Sequence, residues 1–180
     1  MIAGLGEAMA VKGFAGTTVA DIIDRAKVSK QTFYEHYDGK QACFMDAFER
    51  IHQMLADSSS AAKLQKTPLA TLDSVLAKYL EVIARNATMA RLYLIEVYAA
   101  GPEALRTRID LQQRTVEQFV ALFGLRTDEG RFACRAVVAA ISALVTHELV
   151  SGGGPDGVRG LHGPLLMLSR QLMSAHSNLA

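Results

Sequence analysis

Thirteen consecutive residues, VSKQTFYEHYDGK from Val28 to Lys40, gather Ser, two Lys, Gln, Thr, two Tyr and His. Three chemistries could use such a set: a hydroxyl activated by a base, a metal held by His and acids, or a polar grip on a partner. The first two fail on spacing. Glu35 and His36 are adjacent, so on a helix they diverge by about 100° and cannot converge on one proton or ion. The chain has no Ser-His-Asp order, no HExxH and no phosphate-cradling Gly loop, since GGGPDG at 152–157 is not followed by Gly-Lys-Ser/Thr. His147-Glu148 and His162 have no second ligand at metal spacing. The reading is of a protein that is not an enzyme and holds no cofactor or metal, and whose polar run grips something.

The neighbouring residues say what holds that run in place. Thr18 precedes Val19, Ile22 and Ile23, with Asp21 three residues on, which is the Ser/Thr-x-x-acid pattern of a capping box. A helix from there ends near Arg25 or Ala26. Lys27-Val28 leaves room only for a tight turn, and Ser29 is placed to cap a second helix running to about Tyr37. Two short helices joined by a tight turn, the second dense in donors and acceptors, form a helix-turn-helix. Phe33 and Tyr37, four apart, close a small core with Ile22, Ile23 and Val28. Lys30 and Tyr34 share another side, and Gln31, Thr32, Glu35 and His36 complete a polar front. Major-groove reading needs such a front, and hydroxyls and lysines at the ends of elements suit phosphates.

Apolar periodicity is helical along most of the 180 residues, with stripes such as Leu69, Leu72, Leu76, Tyr79, Leu80 and Ile83, and no segment shows sustained period-two alternation. The chain is read as all-α, with a boundary near residue 50. Short helices with turns at Lys12-Gly13 and Asp38-Gly39 precede it, and longer amphipathic helices follow a weak polar joint at DSSSAAK, Asp57 to Lys63. GGGPDG reads as the strongest loop signal. The formal charge of +1 gives no global field. Residues 1–55 hold six Lys/Arg against seven Asp/Glu, so any nucleic-acid grip depends on where Lys27, Lys30 and Lys40 sit. Cys43 and Cys134 fit buried thiols in a reducing compartment. The most apolar run, Phe132 to Val145, is short for a bilayer and carries Arg135, and the start has no basic leader. These features point to the cytoplasm and away from a membrane.

The segment KGFAGTTVADIIDRAKVSKQTFYEHYDGKQACF resembles the N-terminal helix-turn-helix of TetR/AcrR transcriptional regulators, through Gly13-Phe14, Thr17-Thr18, Ile22, Ala26, Val28-Ser29, Thr32-Phe33-Tyr34, Tyr37, Lys40 and Phe44. The match spans residues 12–48. Lys27 and Gln31 depart from it, at positions where relatives favour Gly and Gly or Pro. The resemblance implies a three-helix DNA-binding domain over 1–48, a linking helix to about residue 56, and a helical bundle over 57–180 for ligand binding and dimerisation. It implies a dimer on a double-stranded palindromic operator, repression, and release by a small-molecule effector. Carried over by position, Lys30, Gln31, Thr32, Tyr34 and His36 are base candidates. Thr17, Thr18, Ser29, Tyr37 and Lys40 are phosphate candidates.

Beyond the head, Arg91 to Gly101 reads as an apolar helix with Tyr93, Glu96 and Tyr98 embedded in it, and Tyr79, Gln113 and Phe119 lie on flanking helices. An apolar wall with a few polar groups suits a small-molecule pocket, and a buried Glu96 needs a partner such as Arg91 or a cationic ligand. The helices near 131–150 and 161–173 carry Ala133, Ala136, Ala139, Ala140, Ala143 and a Leu stripe, a composition suited to a self-paired four-helix interface. Two rivals are a DNA-binding regulator without a small-molecule inducer, and an all-α carrier or enzyme that keeps the head as a relic.

Overall fold

A computed structural model describes residues 1–60 and 65–177. Its helices are α1 (Ile2–Gly16), α2 (Val19–Ala26), α3 (Lys30–His36), α4 (Lys40–Ser60), α5 (Pro68–Arg85), α6 (Ala87–Leu94), α7 (Pro102–Phe123), α8 (Asp128–Ser151), α9 (Gly154–Gly160) and α10 (His162–Ser177). No strand occurs among the described residues. The joint expected at 57–63 is helical through Ser60, and its remainder lies outside the described residues.

The chain forms two compact units. The first is Met1–Ala56 together with Asn86–Arg106, and the second is Asp57–Arg85 together with the chain from Thr107 onward. The sequence reading gave 86–106 to the C-terminal domain. Three contacts bind that segment to the first unit instead. The Phe14 backbone N–H donates to Glu96 Oε2 at 2.7 Å, Gln41 Nε2 donates to the Ala100 carbonyl at 2.7 Å, and Tyr93 stacks on Phe48 with centroids 4.7 Å apart.

In the first unit, α1 packs across α2, and Leu5, Ala8, Ile22, Phe33, Phe44 and Phe48 close the core. Gly13 (φ 65°, ψ 173°) breaks α1, and Phe14 then plugs the core edge-on to Phe44 at 5.1 Å. The helix read over Arg91 to Gly101 is not continuous. It stops at Leu94, turns at Ile95 and continues as a 3-10 turn over Glu96–Tyr98.

In the second unit, α5, α8, α9 and α10 pack on one another. The GGGPDG stretch is mostly helix rather than loop. Gly152 (φ 89°) ends α8 in the left-handed conformation, and Pro155 lies in the first turn of α9, where its fixed φ suits a helix start. The Glu148 carboxylate lies over Gly153 and Gly157, so a Cβ at either position would require that side chain to swing aside. Arg159 on α9 bonds Glu81 on α5 at 2.8 Å; with Arg85 it lowers the Glu81 pKa to about 2. Helix α8 is longer than the apolar run inside it. Its 24 residues, with a mean hydropathy of 1.5 over 18 of them, are apolar enough to cross a membrane by length and composition. One face, from Ala133 through Val137, Ile141 and Val145 to Leu149, is buried within this unit.

Candidate nucleic-acid interface

Local chemistry builds the two helices of the head. The capping box at the start of α2 is closed in both directions: the Asp21 N–H donates to Thr18 Oγ1 at 3.2 Å, and the Thr18 N–H donates to Asp21 Oδ2 at 2.9 Å. Lys12 joins at 2.6 Å from Asp21. Hydrogen bonds from Lys12, then from Thr18, hold the Asp21 carboxyl far below the usual carboxylate range. The turn into α3 is made by Lys27 in the left-handed region (φ 54°, ψ 41°). It is the one non-glycine residue with positive φ among the described residues, at a position marked by the sequence as unusual for Lys. Ser29 caps α3, accepting from the Thr32 N–H at 3.0 Å.

Helix α3 sorts its side chains as the sequence implied. Phe33 is fully buried, Thr32 is half-buried, and Lys30, Gln31, Tyr34, Glu35 and His36 are exposed. The Lys30 ammonium lies 6.0 Å from the Tyr34 ring centroid. All five base candidates therefore belong to one short helix with a common outer surface of donors and acceptors.

The phosphate candidates divide. Thr18 and Ser29 are exposed at the starts of α2 and α3, and each hydroxyl also serves its own helix cap. Thr17 does not reach the surface. It is 2% exposed, and its hydroxyl donates to the Gly13 carbonyl at 2.7 Å, so it ties off the break in α1. Lys40 is half-buried; its ammonium donates to the Phe14 carbonyl at 2.7 Å and sits 4.3 Å from the Phe14 ring centroid. Tyr37, the C-cap of α3, donates its hydroxyl to Asp46 Oδ2 at 2.5 Å, and Arg50 pairs with Oδ1 of the same carboxylate at 3.0 Å. Burial first, and Asp46 second, push the Tyr37 hydroxyl well above its ordinary pKa, while the same bond lowers that of Asp46.

Glu96 holds this assembly from outside the head's own sequence. Its carboxylate accepts the Phe14 N–H freed by the Gly13 break, while Lys40 takes the Phe14 carbonyl. The partner expected for Glu96 was a cation; the structure supplies a backbone amide. No local pattern signals this bond, which joins positions 82 residues apart.

The six pocket candidates fall in both units. Tyr93, Glu96 and Tyr98 lie in the first, and Tyr79, Gln113 and Phe119 in the second. Tyr98 is 63% exposed rather than embedded, because the chain has left the helix at Ile95. Gln113 is exposed and bonds Glu117 at 3.1 Å, Phe119 is buried, and Tyr79 is half-buried. Glu96, Arg91, Leu92, Gly6 and Met9 line a cavity of about 10 Å³, room for one water. The sequence reading passed over Arg108, which is 7% exposed on the core stripe of α7 and donates to Ser142 Oγ on α8 at 2.8 Å. The buried thiols of Cys43 and Cys134 are each pushed up to about 11 by burial. No group of three or more His, Cys, Asp or Glu suited to a metal occurs among the described residues.

Residues 5–47 match the family described as bacterial regulatory proteins, tetR family. An uncharacterized HTH-type transcriptional regulator from the lacX 3′ region of Lactococcus lactis subsp. lactis is 28% identical over 145 residues, covering 72% of this chain and 71% of the relative. A bacterial regulatory protein of the tetR family from Rhodococcus RHA1 has the same fold, with a TM-score of 0.77, 20% identity, and coverage of 96% of this chain and 94% of that one. The fatty acid degradation regulator FadR from Bacillus halodurans is similar at TM-score 0.79 and 16% identity, covering 96% and 92%. FadR from Bacillus subtilis, solved in complex with stearoyl-CoA, is similar at TM-score 0.76 and 18% identity, covering 96% of each chain.

Proposed function

We propose that this chain is a DNA-binding transcriptional regulator of the tetR family, a reading supported by the match over residues 5–47, and that it acts in the cytoplasm as a dimeric repressor that leaves a palindromic operator when a small molecule binds. The observation that carries the DNA-reading part is the outer surface of α3, where Lys30, Gln31, Tyr34, Glu35 and His36 stand exposed above the buried Phe33. Lys30, Gln31, Thr32, Tyr34 and His36 read base edges. Thr18, Ser29, Tyr37 and Lys40 line the phosphate path, Tyr37 and Lys40 by redirecting hydrogen bonds now made to Asp46 and Phe14. Thr17 acts one step behind them, by fixing the end of α1.

A dimer is supported by the solvent side of α8. Phe132, Ala136, Ala139, Ala143 and Val150 fall on one stripe opposite the buried face, exposed or half-exposed along its length, with Met167 exposed on α10. Small residues along such a stripe let a second copy approach closely. An effector is supported by the likeness to FadR from Bacillus subtilis, which binds stearoyl-CoA. A coupling of roughly 1–3 kcal/mol between effector and operator would change affinity about 5- to 150-fold.

The test is a mobility-shift titration at fixed salt with the double variant Lys30→Ala, Tyr34→Ala. Both side chains are exposed, so the fold is preserved while operator affinity falls at least tenfold, about 1.4 kcal/mol. Undiminished binding would sink the assignment of α3 as the reading helix.

A further inference from the structure

The fully buried side chain of Phe33 sets the inward direction of α3. Each residue advances a helix by about 100°, so the direction opposite Phe33 falls midway between Gln31 and Glu35. Both are exposed, and Gln31 Nε2 donates to Glu35 Oε1 at 3.0 Å. Lys30 and Tyr34 flank this pair on one side, and Thr32 and His36 on the other. The most outward point of the helix is therefore a hydrogen-bonded amide and carboxylate, not a cation.

A carboxylate at that point either repels phosphates or accepts a hydrogen bond from a base. Position favours the second. The outer pole of a helix lying in the major groove faces base edges, whereas phosphates pass its flanks and ends. The bond to Gln31 also sets a pattern. It fixes the side-chain amide and leaves Gln31 Oε1 to accept, the second Nε2 proton to donate, and Glu35 Oε2 to accept. In the major groove only cytosine N4 and adenine N6 offer donors, and adenine adds the N7 acceptor beside its donor. Gln matches adenine with two bonds, and a carboxylate matches cytosine.

We infer that Gln31 and Glu35 form the specificity-determining pair of this head. Glu35 accepts from the N4 amino group of a cytosine, and Gln31, oriented by Glu35, takes N6 and N7 of a neighbouring adenine. This rests on α3 being the reading helix. It assigns a base-reading role to Glu35, an acidic residue in a place where a cation would serve non-specific affinity. Each operator half-site then holds an adenine and a cytosine at adjacent positions under the middle of α3.

The experiment is selection from a random double-stranded DNA pool with the full chain, its Glu35→Gln variant and its Glu35→Ala variant, followed by titration of the wild-type operator over a salt series. The wild type is expected to select a palindrome with an adjacent adenine and cytosine in each half. Glu35→Gln should retain the palindrome, lose the cytosine at one position per half, and bind the wild-type half-site roughly 5- to 150-fold more weakly. The salt dependence should stay the same. If both variants keep the cytosine preference and bind every sequence more tightly, Glu35 is a repulsive charge and the inference is wrong. A wild-type palindrome without the adenine and cytosine pair overturns the inference alone. Selection of no palindrome by the wild type overturns the reading role of α3 and the inference with it.

Discussion

Gly4 offers a test in which two physical arguments predict opposite signs. It lies in α1 where that helix crosses α2. An ideal Cβ built there would stand 2.7 Å from the Ala26 backbone nitrogen, 2.9 Å from Ala26 Cβ and 2.9 Å from the Ile22 carbonyl oxygen. Ordinary contact begins at 3.4 Å, so the methyl is short of room by 0.5–0.7 Å. Two of the three obstructing atoms are backbone, which has no rotamer to escape into, so α1 and α2 must separate. Overpacking of this kind costs about 1–3 kcal/mol, and a rigid obstruction belongs in the upper half of that range. Helix propensity alone would favour Ala over Gly by about 0.5–1 kcal/mol. Packing wins, and Gly4→Ala should lose about 1–2 kcal/mol, a fall in Tm of roughly 2–8 °C for a chain of this size. Operator affinity should fall with it, because α2 leads through Lys27 directly into α3. Thermal unfolding followed by circular dichroism reads the first effect and a mobility shift the second. Gly163→Ala is the control: nothing lies within 4 Å of a Cβ there, so propensity acts alone and stability should hold or rise. A Gly4→Ala protein as stable as the wild type would show that α1 and α2 are not in close contact at this point.

Two further substitutions probe the head and the second unit. Lys27→Gly removes a left-handed non-glycine residue (φ 54°). The relief of about 1–2 kcal/mol exceeds the extra chain entropy of Gly, about 0.5–1 kcal/mol, so Tm should rise by roughly 2–4 °C. If the Lys27 ammonium neutralises a phosphate, the slope of log affinity against log salt should drop by about 1 per head; a lower Tm would contradict the conformational argument. Ala143→Glu places a charge in the middle of the solvent stripe of α8 and should give monomers in sedimentation without lowering Tm beyond the loss of dimerisation itself. A dimer that survives this change would exclude that stripe.

What the sequence revealed, and what it did not, follows from how far apart the interacting residues lie. The capping box at Thr18 and Asp21, the Ser29 cap, the inward Phe33 and the outward Tyr34 are relations of three or four residues on one helix, so spacing alone was enough to place them. The unusual turn at Lys27 was legible through the family resemblance, since relatives favour Gly at that position. The phosphate candidates were harder, since a hydroxyl or ammonium at the end of an element suits a phosphate and a carbonyl equally well. Which one it meets depends on another element: Lys40 meets the Phe14 carbonyl, Tyr37 meets Asp46 on α4, and Thr17 turns inward because Gly13 has broken the helix above it. Glu96 is the extreme case. Its bond to the Phe14 N–H draws residues 86–106 into the first unit, and no window of sequence contains both partners. The reading surface is thus set by residues close in sequence. The stiffness of the segment beneath it comes from three side chains that satisfy the backbone around the Gly13 break: Thr17, four residues on, and Lys40 and Glu96, which are distant in sequence. Unmet in a part-buried site, each such group would cost about 1–3 kcal/mol. A change at any of the three should therefore act on operator binding through the end of α1, with the outer surface of α3 unaltered.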